Sequence, residues 1–132
     1  VGAPKVINQG EKAFYNIDKD FVQIPKITYF ESSEAYYKTL FHELAHSTGS
    51  AKRLNRQMAN SFGSDDYAFE ELVAELTASF LASEAGILDA TFENSASYLA
   101  HWLGKFKDDS SYLIKAMSKA QLASDHILNV KF

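Results

Sequence analysis

Residues 42–46 read His-Glu-Leu-Ala-His. On a helix, positions i and i+4 share one face, so His42 and His46 can present two imidazole nitrogens to one ion. Glu43 is one residue further on, beside that face, where it can reach a water molecule held by the ion without ligating the ion itself. The chain contains no cysteine. Thiolate sites and disulfides are therefore excluded, and a metal has only His, Asp and Glu to bind it. The chemistry implied is hydrolysis assisted by a zinc ion, Zn2+, with Glu43 as general base.

A catalytic zinc needs a third protein ligand. The stretch from Tyr67 to Leu88 offers two acids, Glu71 and Glu75, on a face otherwise made of Ala74, Ala78 and Ala82. No Lys or Arg occurs there, although an exposed helix face would normally carry some. Small residues with two acids predict close packing against another helix, and a carboxylate buried in such a contact requires a compensating cation. Glu71 and Glu75 are four residues apart on one face, so spacing alone does not rank them.

The elements that position these groups follow from local signals. Residues 13–17 and 21–24 are short aromatic and β-branched runs separated by Asp18-Lys19-Asp20, which predicts a β-hairpin ended by Pro25. Residues 27–30 are a candidate third strand. From Ser32 the signals become helical, with Ser32 or Ser33 as N-cap, Glu34 in the first turn and Gly49 as the stop. Tyr37, Leu40, Phe41 and Leu44 fall on the side away from the histidines and are expected to face the core. Residues 50–64 read as a loop, in which Lys52, Arg53 and Arg56 are expected to form a solvated turn. Further helices are expected over residues 65–85, closed by Gly86, then 95–107 and 109–128. Strands followed by about four helices predict an α+β fold, with a short N-terminal antiparallel hairpin or meander.

Composition sets the outer bounds. The 132 residues suit a single domain, and 46% hydrophobic with 23% charged residues excludes disorder and low complexity. No apolar run approaches the roughly 20 residues of a membrane span, and a cytoplasmic setting is expected. The start without Met suggests the C-terminal part of a longer protein.

Several stretches together resemble the zincin-like metallopeptidase domain of ArdC-type antirestriction proteins. They are residues 36–49 (YYKTLFHELAHSTG), 53–56 (RLNR) and 67–76 (YAFEELVAEL), with residues 94–99 (NSASYL), Trp102, Leu103, Ala120 and Gln121 further on. Residues 13–15 with Ile24 and Pro25 are similar to that domain's opening hairpin, so the likeness covers nearly the whole chain. It implies His42, His46 and Glu71 as zinc ligands, Glu43 as catalytic base and a peptide or protein as substrate. It also implies a separate N-terminal domain that binds single-stranded DNA in such proteins. Tyr67, Tyr98, His101 and His126 are candidate donors to a developing oxyanion, none of them singled out.

Two other readings compete. A zinc-bearing interaction module could keep the metal without turnover, and only an activity measurement separates it from a peptidase. A di-iron bundle also uses Glu-x-x-His, as in Glu43 to His46, but it requires two such motifs and this chain has one.

A net charge of −4 with 13 scattered Lys and Arg residues offers no phosphate-binding surface. The chain should therefore bind single-stranded DNA no more tightly than about micromolar at physiological salt, the range of non-specific contacts. Fluorescence anisotropy with a labelled oligonucleotide checks this. Sub-micromolar binding that weakens steeply with salt would contradict it.

Overall fold

The computed structural model describes residues 2–56, 65–88, 93, 96–97, 99–101, 104 and 110–129. Three strands come first: β1 (Lys5–Asn8), β2 (Phe14–Asn16) and β3 (Phe21–Ile24). Three described helices follow: α1 (Ser33–Thr48), α2 (Asp65–Glu84) and α3 (Ser110–Leu128). The fold is α+β, as expected. The helix expected over residues 95–107 lies largely outside the described residues.

The hairpin is present, with Tyr15 opposite Val22 in an antiparallel pair. The sheet is mixed rather than a meander. Its order is β1-β3-β2, and β1 runs parallel to β3 with Val6 beside Val22. Residues 27–30 do not form the expected third strand. Tyr29 N–H donates to the Lys26 carbonyl at 2.9 Å and Phe30 N–H to the Ile27 carbonyl at 3.1 Å, closing a 3-10 turn over Ile27–Tyr29. Local hydrogen bonds thus replace a sheet ladder, and Tyr29 is left 67% exposed.

Helix boundaries follow their caps. Ser32 Oγ accepts from Ala35 N–H at 3.0 Å at the start of α1. Gly86 takes the left-handed backbone (φ +77°) just after α2, which a residue with a side chain adopts at a cost. Asn129 does the same after α3 at φ +58°.

Helix α2 is buried on both faces. Ala68, Leu72, Val73 and Leu76 pack with Ala116 and Ala120 of α3. The opposite face, with Ala74, Glu75, Ala78 and Ala82 all buried, lies towards α1. The sequence therefore predicted the covering helix correctly. It misplaced the core side of α1, where Tyr37 is 45% exposed and the buried residues are Tyr36, Lys38, Ala45, Ser47 and Thr48.

The turn carrying Lys52, Arg53 and Arg56 is not the expected solvated one. The side chains of Arg53 and Arg56 are only 2% and 5% exposed, while Lys52 stays at the surface. Both arginines cap the C-terminal end of α1, where carbonyls lack partners and the helix dipole favours cations. Arg53 Nη1 donates to the Ser47 carbonyl at 3.2 Å and Arg56 Nη2 to the Ala45 carbonyl at 2.8 Å. Arg53 also grips Asp20 at the hairpin turn with two bonds of 2.8 and 2.9 Å. Asp20 sits in left-handed backbone (φ +55°), tolerable for Asp, and its carboxylate additionally accepts from the Tyr15 hydroxyl at 2.7 Å.

The Arg53 guanidinium holds the Asp20 carboxyl well below the usual carboxylate range, outweighing burial. A depressed folded-state pKa adds stability above the unfolded value of about 4, and that stability fades as pH falls below it. Asp20→Asn should lose roughly 1.5–3 kcal/mol at pH 7, the scale of hydrogen bonds to a charged group. In urea melts the gap to wild type should shrink as pH drops from about 4 towards 2. A gap independent of pH would contradict the assignment.

Candidate metal centre

Helix α1 contributes His42, Glu43 and His46, and α2 contributes Glu70, Glu71 and Glu75. The His42 Nε2 atom is 3.1 Å from Glu71 Oε2, and His46 Nε2 is 3.2 Å from Glu71 Oε1. One donor atom from each of these three residues lies within 4.8 Å of the others. Among the described residues they form a group able to hold one metal ion, and they are the three that the sequence and its resemblance nominate.

Each imidazole is fixed from its other side. His42 Nδ1 lies 3.2 Å from Glu75 Oε2, and His46 Nδ1 lies 2.9 Å from Glu70 Oε2. With the proton on Nδ1 donated to these carboxylates, both Nε2 lone pairs face Glu71, the tautomer that metal ligation requires. Glu75 thus lies beside the His42 imidazole on the side opposite Glu71.

Buried cations hold both supporting acids in turn. Lys38 Nζ donates to Glu75 Oε1. Arg56 donates from Nε to Glu70 Oε1 at 2.9 Å and from Nη2 to Oε2 at 3.0 Å. Sequence reasoning missed Glu70, Lys38 and Arg56 as parts of the site. Lys38 had a signal, since Lys38, His42 and His46 form one i, i+4 row on α1. Arg56 had none, because nothing local tells a loop arginine which acid it will meet.

The electrostatics fit a bound cation. Three carboxylates face two fixed cations, Lys38 and Arg56, which leaves the charge of Glu71 to be neutralised. Burial opposes charge on His46, yet the hydrogen bonds with Glu70 and Glu71 outweigh it, and its pKa is pushed up to about 10. His42 is likewise raised against burial by Glu71 and Glu75. Burial favours a neutral Glu71, but His42 and His46 hold its carboxyl well below the ordinary range. Protons on the imidazoles would offset the charge of Glu71. A divalent ion can take their place.

The triad opens into a cleft of about 540 Å³. Phe14, Tyr15 and Ile17 along the hairpin form one wall, and Thr39, Glu43 and Tyr67 also line it. Of the four oxyanion-donor candidates, Tyr67 reaches this cleft. His101 and His126 do not line it, His126 lying instead close enough to Arg53 to feel its charge. Tyr98 lies outside the described residues.

Comparison with known proteins agrees with this geometry. The sequence profile of the zincin-like metallopeptidases matches residues 2–119. The chain is 37% identical over 119 residues to the DNA primase TraC of Escherichia coli, covering 90% of this chain and 8% of that protein. It is 34% identical over 116 residues to an uncharacterized protein of Sinorhizobium fredii, covering 88% of this chain and 38% of that one. The Mn(II)-bound crystal structure of the antirestriction protein ArdC from the R388 plasmid superposes with a TM-score of 0.79 at 38% identity, over 96% of this chain and 47% of ArdC. The metal-free ArdC structure gives a TM-score of 0.70 at 36% identity, over 98% of this chain and 48% of ArdC. The chain thus spans less than half the length of each of these relatives. A profile match over nearly all its residues, together with the divalent-metal site on α1 and α2, makes this chain a member of the zincin-like metallopeptidase family.

Proposed function

We propose that this domain is a zinc-dependent peptidase that hydrolyses extended peptide or protein segments, with Glu43 as general base. The observation that carries the reading is the placement of Glu43 in the cleft, one residue from His42 and beside a carboxylate–imidazole triad whose donor atoms converge. A site built only to hold an ion structurally would close around it, whereas this one lines an open cleft.

His42 and His46 through Nε2 and Glu71 through its carboxylate would hold the metal. When bound, the ion lowers the pKa of water to roughly 7 and polarises the scissile carbonyl. Glu43 accepts the proton of the attacking water and hands it to the leaving amine. Among the described residues, Tyr67 is the oxyanion-donor candidate that lines the cleft. Among the described residues β2 pairs with β3 on one side only, and its other edge could add an extended peptide as a further strand beside the triad.

Two imidazoles and one carboxylate suit zinc better than manganese, which prefers oxygen donors and ranks below zinc for the same ligands. That ArdC was crystallised with Mn(II), and that its metal-bound form superposes better than its metal-free one, supports a divalent ion here. The relatives' whole-chain activities belong to proteins more than twice this length.

Purified without chelator, the chain should carry one zinc, and His46→Ala should lose it. Glu71→Ala should weaken zinc binding more than Glu75→Ala in a chelator competition, and the reverse order would exchange their roles. Glu43→Gln should keep zinc and fold while turnover of a peptide library falls by about 10²–10⁴-fold, the usual share of a general base. Equal cleavage by mutant and wild type would overturn the mechanism. No cleavage by either would favour a zinc-bearing interaction module.

A further inference from the structure

The buried acids beside the two histidines pose a problem that the proposed reaction does not explain. Glu70 and Glu75 are 5% and 2% exposed. A carboxylate that deeply buried either takes up a proton or finds fixed partners. A Glu70 or Glu75 carboxylate left free to rotate would no longer hold its imidazole with the ring's lone pair turned towards the metal position.

In each case a cation occupies the remaining carboxylate oxygen. Glu75 gives Oε1 to Lys38 and Oε2 to His42, while Glu70 gives Oε1 to Arg56 Nε and Oε2 to both Arg56 Nη2 and His46. The two cations arrive by different routes. Lys38 lies one turn before His42 on α1 itself. Arg56 comes from the segment that folds back after α1, where its N–H donates to the Gly49 carbonyl at 2.9 Å. Its guanidinium also donates to Thr48 Oγ1 at 2.7 Å and to the Ala45 carbonyl, so the fork is fixed on several sides.

We propose that Lys38 and Arg56 are positioning residues for the metal, acting through Glu75 and Glu70 to hold the His42 and His46 rings with Nε2 turned towards Glu71. Neither cation touches the ion or the reacting atoms. Each holds its acid in one orientation by hydrogen bonding, and the acid fixes the rotation of its histidine. The segment that bears Arg56 is therefore part of the metal site, although it contributes no ligand. This inference rests on the metal reading of His42, His46 and Glu71, and it does not depend on hydrolysis.

Buried ion pairs often serve only to satisfy one another. The experiment must therefore separate metal affinity from stability. Zinc affinity is measured by competition with a chromophoric chelator for wild type, Lys38→Met, Arg56→Met, Arg56→Lys, Glu70→Gln and the double variant Arg56→Met/Glu70→Gln. Melting of the metal-free proteins is followed in parallel. Lys38→Met and Arg56→Met should each weaken zinc by about 10–100-fold, the usual effect of losing an outer-sphere partner. Arg56→Lys should recover part of the loss, since it restores charge but not the two-pronged grip. Because Arg56 acts through Glu70, Arg56→Met should add little to Glu70→Gln. Should Arg56→Met not fold, Lys38→Met, Arg56→Lys and Glu70→Gln decide the matter. Wild-type affinity in folded variants whose melting temperature alone has dropped would reduce the cations to structural ion pairs and overturn the proposal. Full additivity of Arg56→Met and Glu70→Gln would overturn it as well. If the wild type itself binds no zinc, the metal reading beneath it fails instead.

Discussion

Placing Glu70, Glu71 and Glu75 on a helix that packs closely against another creates an electrostatic demand, and much of the structure answers it. Moving an ionised carboxylate out of water costs several kcal/mol even after relaxation, and three in one contact repel one another besides. Alanines on both helices, among them Ala45, Ala74 and Ala78, let the backbones approach closely enough for opposing polar groups to meet. Lys38 answers Glu75 and Arg56 answers Glu70. Glu71 remains, facing two imidazoles, and the place it shares with them suits a divalent ion.

The turn after α1 links this demand to the cleft. Its two arginines, three residues apart, cap the same helix end and then reach in different directions. Arg56 grips α2 through Glu70, and Arg53 grips the hairpin through Asp20. Tyr15, which lines the cleft, shares Asp20 with Arg53. The position of β2 beside the metal group therefore depends on the same segment that steadies His46. Helix end, metal group and cleft wall form one connected set of hydrogen bonds.

This connection explains which features the sequence disclosed. The spacing of His42, Glu43 and His46 is a property of one helix, and so is the small, acid-bearing face of α2. The caps at Ser32 and Gly86 are likewise local, so the boundaries of α1 and α2 came out within a residue or so. Strand β1 was hidden because its residues are largely exposed and its partner β3 lies beyond the intervening strand β2. Parallel pairing leaves no short-range turn signal. Residues 27–30 misled in the opposite sense, since their β-type side chains sit in a turn closed by its own backbone. The supporting partners Glu70, Lys38 and Arg56 were not legible because their roles exist only once α1, α2 and the turn have met. Their residue types alone, two basic residues and an acid, describe an ordinary wet surface.

The central claim concerns which atoms face the ion. Diffraction from zinc-loaded crystals, with anomalous data at the zinc edge, tests it most directly. The account predicts one zinc at roughly 2.0–2.2 Å from His42 Nε2, His46 Nε2 and a Glu71 carboxylate oxygen. It also predicts that both Nδ1 atoms remain on Glu75 and Glu70, and that Glu43 stays off the metal. Zinc ligated through either Nδ1, or by Glu70 or Glu75 in place of Glu71, would contradict it.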